Sequence, residues 1–141
     1  MRQQEILAAG TSIWLDDLSR SKLTGSDPHS LTHRINHDGV RGVTTNPSIF
    51  GAAITGADEY AADIASLSGK SVDEVVRTLT TDDVRVACDL FAGIYSASKG
   101  IDGRVSIEVD PRLAHKTQET IDEGIALHAL VGRPNVMIKV P

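Results

Sequence analysis

The segment Val40-Arg41-Gly42-Val43-Thr44-Thr45-Asn46-Pro47 contains two different patterns, one directly after the other. Its first six residues are rich in β-branched side chains, and this composition predicts a strand at residues 40–45. Asn46 and Pro47 follow as a helix N-cap and a proline at the first helical position. The segment therefore predicts a strand that passes directly into a helix, which is the unit from which parallel α/β sheets are built.

Three other short apolar runs have the composition of strands, and they occupy residues 12–15, 105–109 and 135–140. Helical patterns lie between the four strands. Their predicted starts are cap or proline signals at Asp27-Pro28, Asn46-Pro47, Ser71-Val72-Asp73-Glu74, residues 80–83 and Pro111. The helix that follows Pro111 carries Ile121, Ile125 and Ala129 at four-residue steps, which is the spacing of one helix face.

Strands that alternate with helices predict a parallel sheet. The strands are apolar without clean alternation, as expected when both faces of a sheet are covered. A closed (β/α)₈ barrel needs eight strands and about 250 residues. Four such strands in 141 residues predict about the first half of a TIM barrel, so that residues 1–141 form a single incomplete domain. The chain stops on a strand, and we therefore expect a truncated chain whose exposed sheet edge promotes self-association.

The composition narrows the class of protein. The chain has 14 Lys+Arg and 19 Asp+Glu residues, and its formal net charge of −5 argues against a nucleic-acid partner. No apolar run has the length of a transmembrane helix or of the apolar core of a signal peptide. Cys88 is the single cysteine, which fits a reducing compartment. A cytoplasmic protein with no membrane partner is expected.

Polar side chains occur where each predicted strand ends, at Asp16, residues 44–46, Glu108 and Lys139. In parallel α/β folds the active site lies at that end of the sheet. An amine and two carboxylates brought together there can perform Schiff-base chemistry, with the carboxylates moving protons. Simpler interpretations remain open at this point, since strand-end charges also face solvent, and Asp16 and Asn46 can serve as helix caps.

Three histidines, His29, His33 and His37, are spaced four residues apart on the helix predicted to start at Asp27-Pro28. Leu31 and Ile35 mark the buried face of that helix, and two residues correspond to about 200° of rotation. The histidines are therefore expected to face solvent, and no metal site is predicted.

Four segments, taken together, resemble the transaldolase family in its longer bacterial form. The most specific is Val43-Thr44-Thr45-Asn46-Pro47-Ser48-Ile49-Phe50. The others occur in the family's order and are Ser12-Ile13-Trp14-Leu15-Asp16-Asp17-Leu18-Ser19-Arg20, Val105-Ser106-Ile107-Glu108-Val109-Asp110 and Val136-Met137-Ile138-Lys139-Val140-Pro141.

The resemblance implies the transaldolase step of the non-oxidative pentose phosphate pathway, with sugar phosphates as substrates and no metal or organic cofactor. A dihydroxyacetone unit moves from sedoheptulose 7-phosphate to glyceraldehyde 3-phosphate. By the same resemblance, Lys139 forms the Schiff base, Asp16 takes the proton of the C4 hydroxyl, and Glu108 helps to activate water. Thr44 and Asn46 hold the hydroxyls of the dihydroxyacetone unit. The family's phosphate site lies on later strands, so the 141-residue chain is expected to be inactive alone.

Two alternatives to transaldolase fit part of the same pattern. A related Schiff-base aldolase, which is a lyase, would use the same lysine, but the longer first-strand motif and the extra helices after the second strand favour transaldolase. A non-catalytic, sugar-phosphate-binding half barrel would be expected to lack a catalytic position, whereas Asp16, Glu108 and Lys139 are all present.

Overall fold

A computed structural model describes residues 2–55 and 58–140, so that Pro141, the last residue of the fourth motif, lies outside the described residues together with Met1, Gly56 and Ala57. The elements alternate between helices and strands. In chain order they are α1 (Arg2–Ala8), β1 (Ile13–Leu15), α2 (Arg20–Thr24), α3 (Leu31–His37), β2 (Val40–Val43), α4 (Pro47–Ile54), a 3₁₀ turn (Asp58–Tyr60), α5 (Ala61–Ser66), α6 (Val72–Ala97), β3 (Arg104–Glu108), a 3₁₀ turn (Pro111–Leu113), α7 (Thr117–Val131) and β4 (Val136–Lys139).

The four strands form one parallel sheet in the order β1-β2-β3-β4, which confirms the predicted topology. Leu15 pairs with Val43, Val43 with Val105, and Val105 with Val136, so these four residues mark one level across the sheet. All four strands therefore end at the same edge. The polar residues that follow or end them are carried to that edge.

One hydrophobic core lies between the sheet and the helices. Each of four helices contributes a large buried side chain to it, and these are Leu31 from α3, Phe50 from α4, Phe91 from α6 and Leu127 from α7. The sheet contributes β-branched residues, among them Val43 and Val105, neither of which has any exposed surface. The low aromatic content is compensated by this close packing of aliphatic side chains.

Helix α6 corrects one sequence expectation, because Val72–Ala97 is continuous where two helices were predicted. The capping box of Ser71 and Glu74 is present as expected. The second predicted cap, at residues 80–83, instead lies inside the helix, where Thr80, Thr81 and Asp83 are buried. The Thr81 hydroxyl donates to the carbonyl oxygen of Arg77 at 2.8 Å, so this polar side chain is satisfied without ending the helix.

The helix starts predicted at Asp27-Pro28 and at Pro111 are also displaced. Helix α3 begins at Leu31, with Ser30 as its N-cap, and Asp27 instead accepts a hydrogen bond from the backbone N–H of His29. The second prediction marks a short 3₁₀ turn, and α7 begins later, at Thr117. Proline fixed the local backbone at both places, but it did not mark the first residue of the α-helix.

The buried face of α7 differs from the predicted one, since Ile121, Ile125 and Ala129 are exposed. Gly124, Leu127 and Val131 face the sheet instead. A Cβ atom at Gly124 would lie 3.3 Å from Cγ2 of Ile138, so the absence of a side chain is what allows α7 to approach β4 closely. The four-residue steps identified an apolar stripe, but the stripe lies beside the buried face.

Within residues 2–55 and 58–140, no helix combines the length and apolar character needed to cross a membrane.

His33 and His37 stack on each other with ring centroids 4.1 Å apart. The described part of the chain contains no group of three or more His, Cys, Asp or Glu side chains arranged to hold a metal ion.

Candidate active site

The two faces of the sheet carry different chemistry. Successive strand residues point to opposite faces. On β3, Val105 and Ile107 belong to the core shared with the helices, so Ser106 and Glu108 lie on the opposite face, which we call the inner face. The same alternation places Lys139 of β4 on the inner face, because its neighbour Ile138 packs against the core. The inner face therefore carries Glu108 and Lys139, two of the polar residues that were predicted at the strand ends.

Lys139 and Glu108 form the central contact of the inner face. They are register partners at the ends of β4 and β3, and the Lys139 Nζ atom lies 2.7 Å from Oε2 of Glu108. The Glu108 side chain is 10% exposed, whereas that of Lys139 is 40% exposed. A largely buried carboxylate thus touches an amine that remains open to a ligand on the inner face.

Thr44 and Thr45 follow β2, and both are hydrogen-bonded to Ser106 of β3. The Ser106 hydroxyl donates to Oγ1 of Thr44 at 3.0 Å and accepts the backbone N–H of Thr45. The hydroxyl of the fully buried Thr45 donates to the carbonyl oxygen of Ser106 at 2.6 Å. Ser106 was not predicted as part of the site. Its position two residues before Glu108, and hence on the same strand face, is the signal that could have revealed it.

Asp16 and Asn46 have different surroundings at the same edge. Asp16 directly follows β1 and is exposed, and the backbone N–H of Thr44 donates to the carbonyl oxygen of Leu15 beside it. Asn46 caps α4, because its Oδ1 atom accepts the backbone N–H of Ile49 at 2.9 Å. This cap occupies the oxygen of the Asn46 amide and leaves its Nδ2 group as a donor.

The strand register determines how far along the strand direction each of these residues lies. Asp16, Thr44 and Ser106 are each one residue beyond the level marked by Leu15, Val43 and Val105. Glu108 and Lys139 lie two residues further along their strands, a rise of about 6.6 Å. The structure therefore brings Glu108 and Lys139 into contact, and it places Asp16 and Thr44 in a row one layer below them.

A cleft of about 640 Å³ lies on the other side of β3, between α4, the first turns of α6 and the turn after β3. Its walls include Phe50, Ile54, Val76 and Ile107, which are on the helix side of the sheet. Asn46 and Glu108 border it, but Lys139 does not. The Lys139 amine is therefore reached from the inner face and not through this cleft, whereas Glu108 also borders the cleft.

A buried polar network supports the segment that follows Asp16. Asp83, only 2% exposed, accepts the Tyr60 hydroxyl at 2.6 Å and the Arg20 guanidinium at 2.9 Å. The Tyr60 hydroxyl in turn accepts the backbone N–H of Arg20, and the guanidinium lies over the Tyr60 ring. Burial, and then the hydrogen bond to Asp83, raise the pKa of Tyr60. The network joins the start of α2 to α6.

The cysteine has no part in this site. Cys88 is completely buried in the core, and its burial raises the pKa of the thiol to about 12. A thiol in such surroundings stays protonated and unreactive at neutral pH.

Comparison with known proteins gives consistent matches. The family description "Transaldolase/Fructose-6-phosphate aldolase" matches residues 13–141. Proteins named transaldolase are similar to this chain over nearly all of its length: that of Mycolicibacterium smegmatis is 58% identical over 137 residues, and that of Renibacterium salmoninarum 56% over 139 residues. These matches cover 95% and 97% of this chain, but 36% of each relative, so the chain spans about a third of their length.

Proposed function

Because the chain belongs to the transaldolase/fructose-6-phosphate aldolase family, we propose that it supplies the Schiff-base half of a transaldolase active site. The reaction moves a dihydroxyacetone unit from sedoheptulose 7-phosphate to glyceraldehyde 3-phosphate. It yields erythrose 4-phosphate and fructose 6-phosphate, as one step of the non-oxidative pentose phosphate pathway. The observation that carries this proposal is the contact between Lys139 and Glu108 at the ends of adjacent parallel strands.

The covalent step begins when the unprotonated Lys139 amine attacks the C2 carbonyl of the ketose and water leaves. The resulting protonated imine accepts the electron pair of the C3–C4 bond as that bond breaks, and the C4 hydroxyl proton passes to a base. An enamine then holds the three-carbon fragment on the enzyme. After the first aldose leaves, the enamine attacks the aldehyde carbon of the second aldose, whose oxygen takes the proton back from the base. Hydrolysis of the new imine then releases the product and free Lys139.

The other residues have roles that fit their positions. Glu108 activates water for forming and hydrolysing the imine, because its carboxylate touches Nζ of Lys139. Asp16 is exposed at the same edge, as required of a base that receives the C4 hydroxyl proton. Thr44, held by Ser106, and the free Nδ2 group of Asn46 bind the hydroxyls of the dihydroxyacetone unit. The proposed chemistry needs no metal or organic cofactor.

The family's fold is a TIM barrel, and four sequential parallel strands with helices on one face agree with half of such a barrel. We propose that residues 1–141 act as one incomplete barrel domain, since a single core connects all four strands. A cytoplasmic location is part of the proposal, in keeping with a free, buried Cys88.

A chimera tests the proposed function. Residues 1–141 replace the matching part of the M. smegmatis transaldolase, and the products formed from sedoheptulose 7-phosphate and glyceraldehyde 3-phosphate are identified. Formation of fructose 6-phosphate and erythrose 4-phosphate is expected. Release of free dihydroxyacetone would indicate the aldolase alternative, and a folded chimera without turnover beside the active parent enzyme would overturn the proposal.

The 141-residue chain alone is expected to show no measurable transaldolase turnover. The phosphate site implied by the family resemblance is not among its residues, so the substrate is poorly held and oriented. Well-oriented binding can account for about 7–11 kcal/mol of a reaction barrier. A coupled assay on the purified, monodisperse chain makes the measurement. Turnover within about tenfold of an intact transaldolase would contradict this expectation.

Self-association of the chain is expected through the edge of β4. Beside that strand, Ile121 and Ile125 of α7 are 49% and 66% exposed. Glu123 of α7 faces α6, and the two isoleucines lie on the opposite side of the same helix. They are therefore on the side of β4 that faces away from β3. A two-fold interface pairs the same patch on both copies. Light scattering should show a dimer that becomes monomeric in Ile125→Lys, and a monomeric parent chain would contradict the expectation.

A further inference from the structure

The backbone that carries Glu108 leaves the sheet within two residues. The Val109 N–H donates to the carbonyl oxygen of Lys139 at 3.1 Å, which is the last ladder bond between the two strands. Pro111 follows and has no N–H to give. The N–H of Asp110 is therefore a backbone donor at the point where the chain turns away from the sheet.

Glu123 of α7 accepts a hydrogen bond from the Asp110 N–H. Its Oε2 atom lies 3.2 Å from the backbone nitrogen of Asp110, while its Oε1 atom binds Arg77 of α6 at 3.0 Å. The Glu123 side chain is 13% exposed, so water competes weakly for both contacts. One carboxylate thus ties the end of β3 to two helices.

Glu123 is on the helix side of the sheet, where it borders the cleft, and Lys139 is on the inner face. It therefore does not reach the amine directly. Its effect on the pair passes through two residues of backbone, from Asp110 to Glu108. Since the Glu108 side chain is itself 10% exposed, its direction follows from that backbone.

We propose that Glu123 is a positioning residue: by holding the Asp110 N–H, it fixes Glu108 against Lys139. The catalytic role of the Glu108–Lys139 pair rests on the proposed function. The positioning of Glu108 by Glu123 does not depend on that function. Nothing in the sequence near Glu108 indicates Glu123, because the two residues are on different elements and 15 positions apart.

The test compares Glu123→Ala, which removes the acceptor, with Glu123→Gln, which retains an oxygen for the Asp110 N–H. Glu119→Ala is the matched control on the same helix, where an exposed carboxylate pairs with Lys116. Val131→Ala is the control for lost stability, because it removes core packing at the far end of α7 without touching Asp110. All variants are measured as the 141-residue chain under conditions where circular dichroism shows them folded.

The first readout is residue-resolved amide hydrogen exchange, with Val109 as the internal reference for Asp110. In Glu123→Ala we expect Asp110 exchange to rise about tenfold relative to Val109, because its partner is gone. Glu123→Gln and both controls should stay within about twofold of the parent chain.

The second readout is zero-length carbodiimide cross-linking, which joins a lysine amine to a carboxylate in contact with it. The yield of the Glu108–Lys139 cross-link is expected to fall about threefold or more in Glu123→Ala and to be restored in Glu123→Gln. An unchanged yield in Glu123→Ala, or an equal fall in Val131→Ala, would overturn the positioning role.

The third readout is borohydride trapping of dihydroxyacetone on Lys139, and it separates the two proposals. If trapping falls together with the cross-link in Glu123→Ala, both proposals are supported. If the cross-link responds but the parent sequence does not trap the ketone on Lys139 even within the chimera, where the rest of the barrel is present, positioning is supported and the Schiff-base function loses support.

Discussion

Replacing Lys139 with methionine is expected to abolish covalent capture of the substrate. In the chimera, fructose 6-phosphate with borohydride should leave a three-carbon adduct on Lys139, because reduction converts the imine to a stable amine. Methionine has similar length and no nucleophile, so the adduct should disappear while the fold remains. Peptide mapping by mass spectrometry gives both the presence of the adduct and its position.

The matched control is Lys116→Met. Lys116 also pairs with a carboxylate, Glu119, at 3.1 Å, but both side chains of that pair are more than half exposed and lie outside the inner face. This variant should retain the full adduct. An adduct that persists in Lys139→Met, or that maps to another lysine in the parent chimera, would reject the assignment of the nucleophile.

Replacing Asp83 with alanine is expected to lower the free energy of unfolding by about 3–5 kcal/mol, the usual cost of breaking a buried ion pair from one side. The substitution removes the buried one of the two carboxylates that pair with the Arg20 guanidinium, the other being Asp63, and it removes the acceptor of the buried Tyr60 hydroxyl. Urea unfolding of the 141-residue chain, followed by circular dichroism, measures the change.

Asp82→Ala provides the comparison one residue away. The Asp82 side chain is 48% exposed and pairs with Arg85, and exposed ion pairs contribute about 0–1 kcal/mol. Equal losses in the two variants would show that the Tyr60–Asp83–Arg20 network has no special importance. Asp83→Asn should fall between the parent and Asp83→Ala, because it keeps an acceptor and loses the charge.

The elements that could be predicted are those whose signals are local. Asn46 and Pro47 mark the start of α4 because cap geometry depends on residues within one turn. The parallel order of the strands follows from their alternation with helices, and the strand ends carry Glu108 and Lys139 to the same edge. The pairing of those two side chains was therefore within reach of the sequence.

The features that could not be predicted depend on contacts between segments that are distant in sequence. Residues 80–83 have the composition of a helix cap, but Asp83 is buried against Tyr60 and Arg20, and neither partner is near it in sequence. The buried face of α7 is likewise decided by the close approach of Gly124 to Ile138. Periodicity locates an apolar stripe, whereas tertiary packing decides which side of the helix is covered.

The strand order has a consequence for how such a chain is made. Each strand pairs with the strand before it in sequence, so a nascent polypeptide leaving the ribosome adds every new strand to an edge that is already built. Parallel strands close long loops, as between Val43 and Val105, and such pairing is slow, but synthesis at about 5–20 residues per second leaves time for it. In a longer relative, the lysine and its carboxylate would meet when β4 docks, before translation of the later barrel strands. Assembly of the Glu108–Lys139 pair is thus an early event in the life of the polypeptide.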